Sequence, residues 1–207
     1  MSDKDIILVG YSGHGYVVAD AALAYALRLK YYSEKVENKL NLFNLKYVGD
    51  EAEESFYGWF NEVEFILGIG DNSIRQAVAK KIIEKKKSVL NVIHPTATIS
   101  NTVKMGNGNF VAKNVSINPF VVIGDYCILN TACVVEHECK IGEAVHIAPG
   151  VVLAGNVEVG ERTFIGANAT IKQGIIIGKD VVIGAGTVVI NNIPDGKTMV
   201  GNPAREV

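Results

Sequence analysis

Four histidines, His14, His94, His137 and His146, are the side chains of this 207-residue chain best suited to moving a proton near neutral pH. Two of them share one stretch, Glu136-His137-Glu138-Cys139-Lys140-Ile141-Gly142-Glu143-Ala144-Val145-His146. A carboxylate beside an imidazole can fix its tautomer and raise its basicity, as a general base in acyl transfer requires. Read alone, His137 and Glu138 also fit a surface histidine with incidental acidic neighbours. A second candidate is the turn Gly10-Tyr11-Ser12-Gly13-His14-Gly15, between a buried-strand run (Asp5 to Gly10) and an apolar helical stretch reaching Leu27. Strand, glycine turn and helix point backbone N–H groups at whatever sits above the strand, which suits a phosphate. The order is GxxGxG rather than the dinucleotide GxGxxG, and a plain tight turn is the alternative. Three cysteines, 127, 133 and 139, form neither a CxxC clip nor an even disulfide set.

The six-residue cysteine interval leads to the element that must position the histidines. Written in rows of six from Ile93, seventeen consecutive rows begin with an aliphatic residue, ending at Val189. The fifth position is small, apolar or Thr in every row except at Asn109, and neither column carries a charge. Short strands turning through ~120° corners satisfy this period, three rows to a coil, giving a three-sided parallel β-helix of a little under six coils. Gly at the second position (106, 124, 142, 160, 166, 178, 184) is expected to serve sharp corners. The cysteines occupy the inward fifth column and read as core.

Residues 5–92 read instead as alternating strands and helices. Phe65 to Gly70 is a second strand and glycine turn, Asp71 or Ser73 can cap a helix running to about Lys87, and its lysine runs are a solvated face. Residues 28–46 are polar and ambiguous, with a helix extension plus a loop as the expectation. The predicted division is an α/β domain over residues 1–92 and the β-helix over residues 93–207.

Charge and hydropathy exclude several classes of function. The net charge is −2, with 12 basic and 13 acidic residues in 1–92 and the remainder equally balanced, so no basic field for nucleic acid exists. No apolar stretch approaches the ~18 residues of a membrane span and no basic segment precedes the first apolar run. A cytoplasmic protein is expected. His146 follows His137 by half of an 18-residue coil, so the two project from different faces; acting at one centre, they would come from neighbouring chains, most simply in a cyclic trimer.

The chain resembles the left-handed β-helix (hexapeptide-repeat) sugar acyltransferases, closest to bacterial UDP-4-amino-sugar (bacillosamine) N-acetyltransferases and sialic-acid O-acetyltransferases. The resemblance is carried by Gly10 to Gly15, Gly68-Ile69-Gly70-Asp71-Asn72 with Ile74-Arg75, Ile93-His94-Pro95, Val135 to Cys139, His146, Ala154-Gly155-Asn156-Val157 and Val200 to Arg205. It implies a small Rossmann-like domain before a left-handed β-helix, and an acetyl-CoA-dependent N-acetyltransferase for a nucleotide-activated 4-amino-4,6-dideoxy hexose in glycan synthesis. No metal is implied, and the sites lie between the subunits of a homotrimer. By the same resemblance His137 is the general base and Glu138 increases its basicity; His146 and the Gly155 N–H hold the thioester carbonyl; Ala167 and Ala185 line the pantetheine groove. Ser12, Gly13, His14, Gly15, Asp50 and Gly70 hold the nucleotide-sugar. Two departures, Tyr11 in place of a small residue and a longer link over residues 28–46, both fall at the nucleotide-sugar end. The alternatives are O-acetylation of sialic acid, a zinc enzyme resembling γ-class carbonic anhydrases, which needs three converging histidines, and a non-catalytic nucleotide-binding scaffold.

Overall fold

The computed structural model describes residues 4–207. The N-terminal part is a parallel sheet of β1 (Asp5–Val9), β2 (Leu29–Ser33), β3 (Lys46–Tyr47) and β4 (Val63–Leu67) in the order β3-β2-β1-β4. Helices α1 (Gly13–Ala24) and α2 (Tyr57–Phe60) connect strands of this sheet, and α3 (Asn72–Glu84) leads from β4 toward the prism. Alternation along the strands divides the packing: Ile6, Leu8 and Ile66 share one core with Val18, Ala19 and Ala22 of α1, while Ile7, Val9 and Phe65 pack with Ala79 and Ile82 of α3. The order of strands changes direction at β1, which leaves a crevice above the strand ends between β1 and β4.

Two expectations for this part need correction. Residues 29–33 form β2, not a helix extension, because Leu29 and Tyr32 bury their side chains beside β1 in a run suited to a strand. Helix α1 stops at Ala24 rather than near Leu27, where Ala26 turns to φ 57° and the Leu27 amide bonds back to the Ala22 carbonyl. Helix α3 begins at Asp71, whose Oδ1 accepts from the Ile74 N–H at 2.9 Å, and ends at Glu84.

From Val92 the chain winds as a three-sided parallel prism. Face I carries Val92–Ile93, Phe110–Val111, Ile128–Leu129, His146–Ile147, Phe164–Ile165, Val182–Ile183 and Thr198–Val200. Face II carries Thr98–Ile99, Ser116–Ile117, Val134–Val135, Val152–Leu153, Thr170–Ile171 and Val188–Val189. Face III carries Lys104–Met105, Val122–Ile123, Lys140–Ile141, Glu158–Val159 and Ile176–Ile177. Through Val189 each strand pairs with the one 18 residues on, such as His146 with Phe164, and the last pairing on face I, Val182 with Thr198, shortens to 16. The fifth column is inward, and Cys127, Cys133 and Cys139 are fully buried. Asn109, its polar exception, is satisfied: its amide donates to the Gly124 carbonyl at 3.0 Å and accepts from the Cys127 N–H.

The left-handed corner residue is the fourth of each row, not the second. From Gly108 to Gly186 every sixth residue has φ between 54° and 72°, including Phe120 and Glu138. The second-position glycines have another cause. A Cβ at Gly106, Gly124, Gly142, Gly160 or Gly178 would lie 2.5 to 2.9 Å from backbone of the next coil, so glycine there permits close stacking.

Candidate active site

The α/β part sits on the edge between faces III and I, and its anchor is Arg75. This side chain is 1% exposed. Its Nε donates to the Tyr126 carbonyl (2.8 Å), one terminal nitrogen to the carbonyls of Ile69 (3.1 Å) and Gly70 (2.9 Å), and the other to Asn72 Oδ1 (2.8 Å) and the Ala144 carbonyl (2.9 Å). One guanidinium therefore ties the turn after β4 to two coils of the prism. The sequence reading gave Arg75 no role of its own; its place four residues after the cap Asp71 turns it off the solvated lysine face.

This docking brings His14 and His146 together, their ring centroids 6.1 Å apart. His14 stands edge-on to Phe110, and His146 edge-on to Phe164. His146 Nε2 lies 3.3 Å from Asn130 Nδ2, while the buried His14 Nε2 has no hydrogen-bond partner among the described residues. Burial first, and the positive charge of Arg75 second, push the pKa of His14 down to about 4 and that of His146 to about 3. Both rings are neutral at pH 7.

The β1–α1 turn folds around close backbone approaches. A Cβ at Gly15 or at Gly68 would lie 2.2 Å from the Gly10 carbonyl oxygen, and Gly10 itself has φ +87°. Ser12 caps α1 by position but its side chain makes no cap bond, so among the described residues the first-turn amides beyond Ser12 have no side-chain acceptor. The crevice is a cavity of ≈ 240 Å³ bounded by Gly10, Ser12, Ser33, Glu34, Lys35, Glu51, Gly68 to Gly70 and Ile74. Asp50 does not line it; its Oδ1 accepts from the Ala52 N–H at 2.8 Å and starts the next turn. Glu51 lines it instead, joined to the Ser33 hydroxyl. Sequence reasoning missed Glu34 and Glu51; the available signal was an acid directly after the strand-forming run that ends at Ser33.

His137 lies elsewhere, on the edge between faces II and III. Its Nδ1 is 3.0 Å from Glu138 Oε2, a pair formed because Glu138 holds the left-handed corner. Gly155 sits one coil above: a Cβ there would meet the His137 Cε1 and Nε2 atoms at 2.5 Å. The Gly155 N–H makes no hydrogen bond among the described residues, whereas its carbonyl accepts from Gly174 and the His137 carbonyl from Asn156. A cleft of ≈ 500 Å³ opens beside His137, between Asn118, Pro119, Phe120, Glu136 and Glu138. Ala167 and Ala185 stack 18 residues apart on a third site, the edge between faces I and II, where the Gly186 amide donates to the Ala167 carbonyl. One chain thus joins His137, Glu138 and Gly155 in one place and His14, Gly70 and His146 in another, and does not bring the two together.

Comparison with known proteins agrees with this architecture. Residues 5–82 match the PglD N-terminal domain family, and residues 120–155, 138–173 and 156–191 match the bacterial transferase hexapeptide family (six repeats). The chain is 34% identical over 93 residues to GDP-perosamine N-acetyltransferase of Escherichia coli O157:H7, covering 45% of this chain and 42% of the relative. It is 32% identical over 116 residues to UDP-N-acetylbacillosamine N-acetyltransferase of Bacillus subtilis, covering 52% and 51%. These matches span about half the length of the curated relatives. The crystal structure of PerB from Caulobacter crescentus, in complex with CoA and GDP-perosamine, superposes with a TM-score of 0.91 at 33% identity, over 100% of this chain and 98% of that one. With its α/β domain followed by a left-handed parallel β-helix, the chain belongs to the hexapeptide-repeat sugar acyltransferases that carry a PglD-type N-terminal domain.

Proposed function

We propose that the protein transfers an acetyl group from acetyl-CoA to the amino group of a nucleotide-activated amino sugar, a 4-amino-4,6-dideoxy hexose. The observation that carries this reading is the His137–Glu138 pair beside an unpaired Gly155 N–H in an open cleft. Nδ1–H donates to the Glu138 carboxylate, which leaves Nε2 as the proton acceptor. The neutral amine attacks the thioester carbonyl, its proton passes to Nε2, and the tetrahedral intermediate collapses with loss of the CoA thiolate. The Gly155 N–H and a donor from His146 stabilise the oxyanion. An acyl-cysteine is not part of this route: burial pushes the Cys127 and Cys133 thiols up to about 12, and Cys139 up as well.

The nucleotide-sugar binds in the crevice of residues 1–92. Its phosphates lie against the N-terminus of α1 at Ser12, Gly13 and Gly15, where the Glu34 carboxylate is already engaged by the Tyr11 N–H, and Glu51 beside Ser33 accepts from the hydroxyl and N–H donors of the nucleoside. This orientation directs the sugar past Gly70 and His14 toward the prism, with Asp50 holding the turn that presents Glu51.

The site is completed by a homotrimer. The outward residues of face II, Thr98, Ser116, Val134, Val152, Thr170 and Val188, carry no charge over six coils. If three chains turn face II toward a common axis, the His137 edge of one meets the Ala167–Ala185 edge of the next. His137 then approaches the neighbouring His146, with the pantetheine arm along the alanines. Among the described residues no helix is long and apolar enough to cross a membrane; the nature of both substrates places the enzyme in the cytoplasm. Residues 93–207 perform transfer and assembly.

The test is an acceptor panel of UDP-, GDP- and dTDP-linked 4-amino sugars and sialic acid, with acetyl-CoA, read by free thiol and product mass. A 4-amino nucleotide-sugar is the expected acceptor. His137→Ala is expected to lose at least ~10²-fold in kcat; full turnover in that variant would sink the assignment, and exclusive acetylation of sialic acid would replace the proposed acceptor.

A further inference from the structure

We infer that Tyr11 is a positioning residue that locks residues 34–45 into the wall of the nucleotide crevice, and so sets affinity for the nucleoside diphosphate half of the substrate. The inference rests on the function proposed above. Residues 34–45 contain no helix or strand, yet they are held by a connected set of side-chain bonds that converges on Tyr11. Three parts of Tyr11 take part. Its N–H donates to Glu34 Oε2 (3.1 Å), its carbonyl accepts from Asn38 Nδ2 (2.9 Å), and its hydroxyl donates to Asn41 Oδ1 and accepts from the Phe43 N–H (both 3.0 Å).

The partners are themselves tied down. Asn41 brackets Leu45, accepting from its N–H at 3.0 Å and donating to its carbonyl at 2.6 Å. Asn38 also donates to the Tyr16 hydroxyl, and its N–H to the Tyr32 hydroxyl, each at 3.0 Å. The Tyr11 ring is fully buried, tilted on Tyr32 at 4.4 Å and edge-on to Tyr16 at 5.1 Å. Tyr11 lies between Gly10 and Ser12, and the loop begins at Glu34 and Lys35; all four border the crevice. A single residue therefore couples the phosphate end of the crevice to its nucleoside end. A small residue at position 11 would leave the Phe43 N–H and the Asn41 amide oxygen without this partner, and residues 41–43 would lose their direct tie to the β1–α1 turn.

Tyr11→Phe isolates the effect, because it deletes the hydroxyl and keeps the buried ring. Binding of UDP, GDP and dTDP is measured by calorimetry on the full-length protein, alongside acetyl-transfer kinetics. For the diphosphate that the wild type binds, Kd is expected to rise about tenfold in Tyr11→Phe, with the same rise in KM for the nucleotide-sugar. The KM for acetyl-CoA and kcat are expected to stay within about twofold. Asn41→Ala should shift Kd in the same direction, and the double variant should fall short of the sum of the two, since both remove the Tyr11–Asn41 bond. Unchanged Kd values, equal losses in kcat and in acetyl-CoA affinity, or additive effects would each overturn the inference alone. A wild type that binds none of the three diphosphates would overturn the functional reading and this inference with it. Asn41→Ala, at a half-buried position, carries the test if Tyr11→Phe does not fold.

Discussion

Gly155→Ala offers the sharpest test of how the prism aims His137, the proposed base. The added methyl would stand 2.5 Å from His137 Cε1 and Nε2 and 3.2 Å from Nδ1, against 3.4 Å or more for ordinary contact. The ring must withdraw by about 1 Å, and because the His137 side chain is half exposed it can swing outward rather than force the coils apart. That swing breaks the 3.0 Å link to Glu138, an exposed pair worth only ~1 kcal/mol or less to stability. Misplacing a catalytic group by 1 Å can cost ~10²-fold, about 3 kcal/mol of barrier. The Gly155 backbone lies outside the left-handed region and its N–H survives the substitution, so neither strain nor loss of the oxyanion donor confuses the outcome. The expected result is kcat reduced ~10²-fold with the thermal midpoint lowered by only a few degrees, measured by thiol release at saturating substrates and by calorimetry. Gly174→Ala is the control: its Cβ would meet nothing within 4 Å but its φ is +72°, so it should cost ~1–2 kcal/mol of stability and spare kcat. A Gly155→Ala enzyme within threefold of wild-type kcat would refute the placement of His137 as base.

Two further outcomes follow from buried groups. His14 and His146 have folded pKa values of about 4 and about 3, below their unfolded value, so their contribution is complete above pH ~6.5 and is lost as pH falls toward the folded values. At pH 5 each is expected to have cost about 2 kcal/mol relative to pH 7.5 in urea unfolding; the His14→Gln/His146→Asn variant should show a flatter profile, and a flat wild-type profile would contradict the burial. Arg75→Met would strip donors from four carbonyls, those of Tyr126 and Ala144 in buried bonds, an expected loss of at least ~3 kcal/mol, and Arg75→Lys should not restore it because an ammonium cannot span the same acceptors. Limited proteolysis and thermal unfolding would show it, and a wild-type midpoint in Arg75→Met would show that the clamp is dispensable.

Much of the prism was legible because its physics is local and periodic. Each row repeats one decision, aliphatic at the first position and small at the fifth, so seventeen repetitions specify register, faces and the inward place of Cys127, Cys133 and Cys139. The pairing of Glu138 with His137 is equally local: neighbours at one corner need no distant element to meet. The second-position glycines were legible in position but not in cause, since the contact that excludes a Cβ at Gly142 comes from Gly160 and Glu161, one coil away.

Where contacts join distant segments with no shared period, the sequence is silent. Periodicity says that His146 faces outward but not that His14, 132 residues earlier, will lie 6.1 Å from it. That meeting depends on docking the α/β part through Arg75, whose acceptors are backbone carbonyls that every residue possesses. The same holds for Glu51 in place of Asp50 at the crevice, and for the tie between Tyr11 and residues 38–43, which unites two departures that the sequence presents as separate. Amino-acid type alone determined the solenoid, the His137–Glu138 pair and the buried cysteine column, because those follow from patterns within one coil. Tertiary structure decided which histidines share a site and what walls the crevice, because backbone hydrogen bonding and burial between remote segments leave no mark on composition or spacing.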